Sequence, residues 1–100
     1  MEVLPGIFRR TLAHCPEVMM VRFFLKAGAK IPLHDHPAAQ NGYVVSGRVK
    51  FFTDEEGGGF VAAPGDGYVF GPSEPHGADI LEDSVVVEAF APSRPEYVDE

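Results

Sequence analysis

The stretch Gly28-Ala29-Lys30-Ile31-Pro32-Leu33-His34-Asp35-His36-Pro37-Ala38-Ala39-Gln40-Asn41-Gly42-Tyr43-Val44-Val45-Ser46-Gly47 decides how this chain folds. It opens and closes on glycine, shows no helical period, and groups its apolar residues in short runs. That pattern predicts strands over Ile31 to His36 and Gly42 to Val45. Side chains alternate along an extended segment, so His34 and His36 project from one face while Asp35 points to the other. One strand thus offers two imidazole nitrogens to the same point in space. A His-x-His pair also arises by chance on strand surfaces, so its meaning depends on the rest of the chain.

The same rhythm continues outward from this stretch. Eleven glycines and nine prolines separate short runs of β-branched and aromatic residues. Further strands are expected over Val18 to Leu25, Arg48 to Phe52, Gly59 to Ala62, Tyr68 to Phe70, His76 to Ile80 and Val85 to Phe90. Turns fall at Ser46-Gly47, across Asp54 to Gly58, and at Pro64-Gly65-Asp66, where glycine supplies positive φ and proline presets its own. The fold class is all-β, an antiparallel sandwich or barrel.

Two of these strands say more. Val49 and Phe51 alternate with Arg48 and Lys50 and mark a core face, whereas Val18 to Leu25 is apolar on both faces apart from Arg22. Something must cover the second face of that strand. Either the N-terminal segment around Ile7 and Phe8 does so, or a second subunit does.

A chain of 100 residues has surface enough to bury one core, and 45% hydrophobic with 23% charged residues is ordinary for a folded globular domain. The formal charge of −7 repels a phosphate backbone, which argues against nucleic acid as a partner. Neither a secretory signal nor a membrane-spanning stretch is legible around Glu2 and Pro5 or beyond, so the expected location is cytoplasmic, with no membrane partner. Cys15 is the sole cysteine; it cannot form an intrachain disulfide and suits a reducing compartment. It has no orienting partner that would make it a nucleophile, because His14 points to the other side of an extended chain.

The spacing G-x5-H-x-H-x3-Q-x6-G runs from Gly28 through His34, His36 and Gln40 to Gly47, and Pro64-Gly65-Asp66 is followed by His76 eleven positions after Gly65. Over Val18 to Phe90 the chain resembles the cupin superfamily, whose first motif is G-x5-H-x-H-x3,4-E-x6-G and whose second places a histidine eleven residues after a glycine. The resemblance implies a single-domain cupin double-stranded β-helix, a jelly-roll barrel. Residues 1–17 would be an N-terminal arm or strand, 18–91 the barrel, and 92–100 a tail that begins ordered and frays. It also implies that His34, His36, Gln40 and His76 converge on one divalent metal ion, with zinc, iron, manganese and nickel all compatible. This sequence departs from the family pattern in carrying Gln40 where the family has glutamate, Gly71 and Ser73 at the Pro and Gly positions of the second motif, and Ile80 at its terminal Asn.

Gln40 can still donate a carbonyl oxygen, but a neutral ligand leaves the site one unit more positive than a carboxylate would. Such a centre favours polarising an anion's carboxylate or hydroxyl over stabilising a higher oxidation state. Three imidazoles and one amide on a six-coordinate ion leave two positions open, as a reactive site requires.

The final strand, Val85-Val86-Val87-Glu88-Ala89-Phe90, puts Glu88 on the face of Val86 and Phe90, and the pattern alone leaves open whether that face looks inward. If it does, a desolvated carboxylate stands near the metal, poised for acid or base work. Within the superfamily the ending Glu88-x-Phe90-x-Pro92-x-Arg94, together with His34-x-His36-Pro37 and Gly42-Tyr43-Val44, resembles the pectin-degradation cupins that open unsaturated uronates. The resemblance implies Glu88 as proton shuttle, in place of that family's Asp, Phe90 packed on the sugar, and Arg94 gripping a carboxylate. For Arg94 the competing role is a surface ion pair with Glu96 or Asp99. The expected partners are a small anionic metabolite and a second copy in a homodimer. A ferrous-iron-dependent dioxygenase and a non-catalytic metabolite- or metal-binding cupin are the alternative functions.

Overall fold

The computed structural model describes residues 1–98, and among them the chain forms ten strands and one short 3-10 turn. In chain order the strands are β1 (Glu2–Leu4), β2 (Ile7–Cys15), β3 (Val18–Leu25), β4 (Lys30–His34), β5 (Ala39–Ser46), β6 (Val49–Thr53), β7 (Gly59–Ala62), β8 (Gly67–Phe70), β9 (His76–Ile80) and β10 (Ser84–Ala91), and the turn covers Pro95–Tyr97. They build a six-stranded sheet ordered β1-β2-β3-β10-β5-β8 and a four-stranded sheet ordered β4-β9-β6-β7, with antiparallel pairing throughout. The two sheets face one another as a jelly roll.

Alternation determines what lies between them. On β3 the buried residues are Met19, Val21, Phe23 and Leu25; on β10 they are Val86, Glu88 and Phe90; Val49 and Phe51 of β6 and Ala78 and Ile80 of β9 face them from the other sheet. Phe70 and Phe90, each 1% exposed, contribute roughly 2 to 3 kcal/mol apiece relative to exposure. Gly47, with φ +92°, turns the chain between β5 and β6 where a Cβ would stand 2.1 Å from Ser84 Oγ. Only glycine permits that approach of the turn to the start of β10.

Several expectations are corrected by the register. The N-terminal segment does not cover the outer face of β3. It pairs edge to edge with that strand as β2, with Ile7 opposite Leu25 and both buried. Phe8 does lie on the outer face, 6.2 Å from the ring of Phe24, yet Val18, Met20 and Phe24 stay 39 to 46% exposed. Arg9 occupies an inward position of β2 and is 7% exposed. A polar residue at a core position, made possible by bonds to the C-terminal turn, breaks the alternation, which is why the sequence left residues 1–17 as an arm or a strand. Strand β4 ends at His34, so His36 lies beyond it rather than within it, while β5 starts at Ala39 and already contains Gln40. Pro32 is tolerated because β4 is a sheet edge.

Candidate metal centre and its cavity

His34 and His76 are paired residues on β4 and β9, brought opposite one another by a bulge between Ile31 and His34. Their ring centroids are 4.5 Å apart, and those of His36 and His76 are 5.2 Å apart. One nitrogen from each of the three rings can be chosen so that all lie within 4.8 Å of one another. Gln40 comes from the opposite sheet, as the second residue of β5, and its Oε1 is 2.7 Å from His36 Nε2.

The hydrogen bonds around these rings determine which nitrogens are free. Each Nδ1 faces a backbone carbonyl: His34 to Pro32 at 2.9 Å, His36 to Ala38 at 2.7 Å, and His76 to Glu74 at 2.7 Å. A carbonyl only accepts, so each Nδ1 must carry a proton. Burial pushes the pKa values of His36 and His76 below the ordinary range for histidine, so the neutral ring is favoured and Nε2 keeps its lone pair. The Gln40 amide nitrogen donates to Glu88 Oε2 at 3.1 Å, which turns its oxygen toward the histidines. Gln40 Oε1 and the His36 Nε2 lone pair then face each other at 2.7 Å with no proton between them. Buried His76 Nε2 has no hydrogen-bond partner among the described residues. Lone pairs gathered in this way are costly without a cation, and carbonyl-bound Nδ1 groups are the outer contacts that orient metal-ligating histidines. The donor set His34, His36, Gln40 and His76 fits a divalent ion.

Beside this cluster lies a cavity of about 340 Å³, large enough for a small metabolite. Its walls include His34, Gln40, His76, Glu88, Phe90 and Arg94. Glu88 therefore faces inward, and the half-buried Val85 and Val87 face out. Burial pushes the Glu88 carboxyl up to about 7; hydrogen bonds from Tyr68 and Gln40 and the charge of Arg94 act in the other direction and lose to desolvation. Arg94 lies 5.4 Å over the Phe90 ring and 4.1 Å over the Tyr97 ring, and donates to the Tyr97 hydroxyl at 2.8 Å. The expected ion pair with Glu96 is present too, at 3.7 Å, with the Glu96 side chain 60% exposed; Asp99 lies outside the described residues.

Two contributors went unread in the sequence. Tyr97 closes part of the cavity wall because Arg9 Nη1 and Nη2 donate to the carbonyls of Tyr97 and Glu96 at 2.8 and 3.1 Å, binding the C-terminal turn to β2. Tyr68 donates to Glu88 Oε2 at 2.5 Å. Its inward direction could have been guessed from the aromatic pair Tyr68 and Phe70, two positions apart on β8, but its partner two strands away could not.

Comparison with known proteins agrees with this architecture. No curated protein matches the chain. KdgF from Halomonas sp. is 37% identical with a TM-score of 0.90, over 98% of this chain and 89% of that one. An RmlC-like cupin from Shewanella frigidimarina NCIMB 400 is 29% identical with a TM-score of 0.89, over 97% of this chain and 86% of that one. An RmlC-like cupin from Desulfovibrio desulfuricans is 27% identical with a TM-score of 0.77, over 88% and 84%. The family model for the cupin domain matches residues 21–91, from β3 to the end of β10, and the chain belongs to the cupin family.

Proposed function

We propose that this protein is a metal-dependent cupin that converts unsaturated uronates to linear keto-uronates, with His34, His36, Gln40 and His76 as ligands. The observation that carries the reading is Glu88, a buried carboxylate whose pKa is raised to about 7, on the same cavity wall as the ligand cluster. The 37% identity to KdgF and the resemblance of Glu88, Phe90 and Arg94 to the ending of the uronate-opening cupins point the same way. A bound divalent ion would supply Lewis acidity toward a substrate hydroxyl or carboxylate.

The remaining work falls to the chain. Arg94, held against the Phe90 and Tyr97 rings, offers a preorganised fork to the uronate carboxylate. Phe90 packs against the sugar ring and keeps water from the reacting carbons. Glu88 moves one proton: as the hemiacetal carbon–oxygen bond opens, the anomeric hydroxyl becomes a carbonyl and its proton leaves. The enol oxygen released at the other end becomes a ketone as the neighbouring carbon gains a proton. Substrate and product are isomers, so no co-reactant is needed. A carboxyl near neutrality is suited to both halves of that transfer.

The protein is expected to be cytoplasmic, in keeping with exposed, unpaired Cys15, and to act as a homodimer. No helix among the described residues is long and apolar enough to cross a membrane.

The test is metal analysis of the purified protein followed by assay on unsaturated galacturonate and glucuronate, reading the loss of ultraviolet absorbance of the conjugated double bond. Wild type should consume one of them, and Glu88→Ala should lose at least about a hundredfold in rate while keeping its metal. Normal turnover in that variant would refute the assignment. Oxygen consumption would instead favour the ferrous dioxygenase, and saturable binding without product the non-catalytic cupin.

A further inference from the structure

Glu88 on β10, Gly42 on β5 and Tyr68 on β8 stand in one row across the six-stranded sheet, Glu88 opposite Gly42 and Gly42 opposite Tyr68. Glu88 and Tyr68 are thus two interstrand steps apart, roughly 10 Å, too far for neighbouring side chains to meet over an occupied middle position. The middle position is empty. A Cβ on Gly42 would stand 2.3 Å from Tyr68 Cζ and 2.4 Å from its Oη, so the phenol ring lies flat across the glycine. Its hydroxyl reaches Glu88 Oε2 at 2.5 Å. Phe51, with its centroid 4.4 Å from that of Tyr68, and Phe70, at 5.9 Å, hold the ring in place.

The two hydrogen bonds to Glu88 are lopsided. Tyr68 and Gln40 both donate to Oε2, and among the described residues Oε1 accepts none. The terminal torsion of a glutamate is soft, so a carboxylate held by one oxygen from two directions has its plane fixed and its second oxygen assigned.

We propose that Tyr68 is a positioning residue of this site: its hydroxyl, reaching over the side-chain gap at Gly42, anchors Glu88 Oε2 so that Oε1 is the oxygen presented to the substrate. The catalytic half of the proposal rests on the uronate reading; the anchoring half rests on the contacts alone. Gly42 is then required because any side chain there would displace the tyrosine.

The experiment compares metal-loaded wild type, Tyr68→Phe, Gly42→Ala, Glu88→Ala and the Tyr68→Phe/Glu88→Ala double variant on the uronate that wild type consumes. Tyr68→Phe should lower kcat about 10- to 100-fold, the range expected for a catalytic group displaced by an ångström, with KM within about twofold and metal content unchanged. Gly42→Ala should give the same split without altering either polar residue. In the Glu88→Ala background, Tyr68→Phe should cost nothing further, because it acts only through the missing carboxylate. Wild-type kcat in Tyr68→Phe, or an equal loss in the double variant, would overturn the proposal. Crystal structures of metal-loaded wild type and Tyr68→Phe supply a readout that needs no substrate: the Glu88 carboxylate should turn away from its wild-type plane, and an unmoved carboxylate would overturn the anchoring. If wild type consumes neither uronate, the functional reading fails and the structures alone decide the role of Tyr68.

Discussion

Gln40 joins two groups that would otherwise be independent: its amide nitrogen donates to Glu88 and its oxygen faces the histidines. A glutamate in its place would set two carboxylates against each other, so the neutral amide is what allows an inward acid at position 88. The consequence for pH can be worked out in the metal-free protein. Glu88 has its pKa raised from 4.5 to about 7 on folding, so the folded chain keeps a proton that the unfolded chain has already lost. Its contribution to stability is whole below 4.5 and disappears as pH rises through about 7. The size is about 3 kcal/mol. His36 and His76, with lowered pKa values, act the other way and cost stability as pH falls, but they are shared by any variant at position 88. Chelated Glu88→Gln should therefore gain about 3 kcal/mol on chelated wild type between about pH 4 and about pH 8, as read from urea unfolding. Parallel pH curves for the two proteins would show that Glu88 does not titrate as its burial requires.

At the scale of elements, β10 shows how far alternation carries. Its period of two was plain from Val85 to Phe90 and put Glu88 with Phe90, but valines on both faces left the inward side undecided. Pairing decides it, since Glu88 lies opposite Val21, which is fully buried in the core. The histidine spacing was legible because it is local, whereas Tyr68, Arg9 and Tyr97 join the site only through register and chain return, which no local pattern records. The glycines at the motif's ends were legible as turns, and their packing was not. Gly47 is the clearest case: at φ +92° an alanine is strained, and its Cβ would also press on Ser84 Oγ and the Asp83 carbonyl at 2.1 and 2.4 Å. Gly47→Ala should lower unfolding free energy by at least about 2 kcal/mol. Metal stoichiometry should hold, because Gln40 stands at the far end of β5. An unchanged urea midpoint would mean the turn adapts without the glycine.

For the whole molecule, the outer face of the six-stranded sheet is the feature that points to a partner. Met20 and Phe24 of β3, Tyr43 and Val45 of β5 and Val69 of β8 are 39 to 68% exposed, and the half-buried Val85, Val87 and Ala89 of β10 run between them. The register aligns Phe24 with Val85, Met20 with Ala89, and Asn41 with Val69, so these side chains form one surface, interrupted by exposed Arg22 opposite Val87 and by Asn41. A broad, mainly apolar sheet face is unusual on a monomer, and it is the shape that packs against its own copy, sheet on sheet. The N-terminal segment extends this face at its edge and leaves it uncovered. A two-fold pairing that covers Tyr43 would take a charge placed there out of water on both copies, at a cost of roughly several kcal/mol per ion. Sedimentation at micromolar concentration should give wild type the mass of a dimer and Tyr43→Glu the mass of a monomer. Val61→Glu, on the exposed side of β7 in the other sheet, should remain dimeric. A monomeric wild type would leave the face to some other partner, and a dimer that survives Tyr43→Glu but not Val61→Glu would move the interface to the four-stranded sheet.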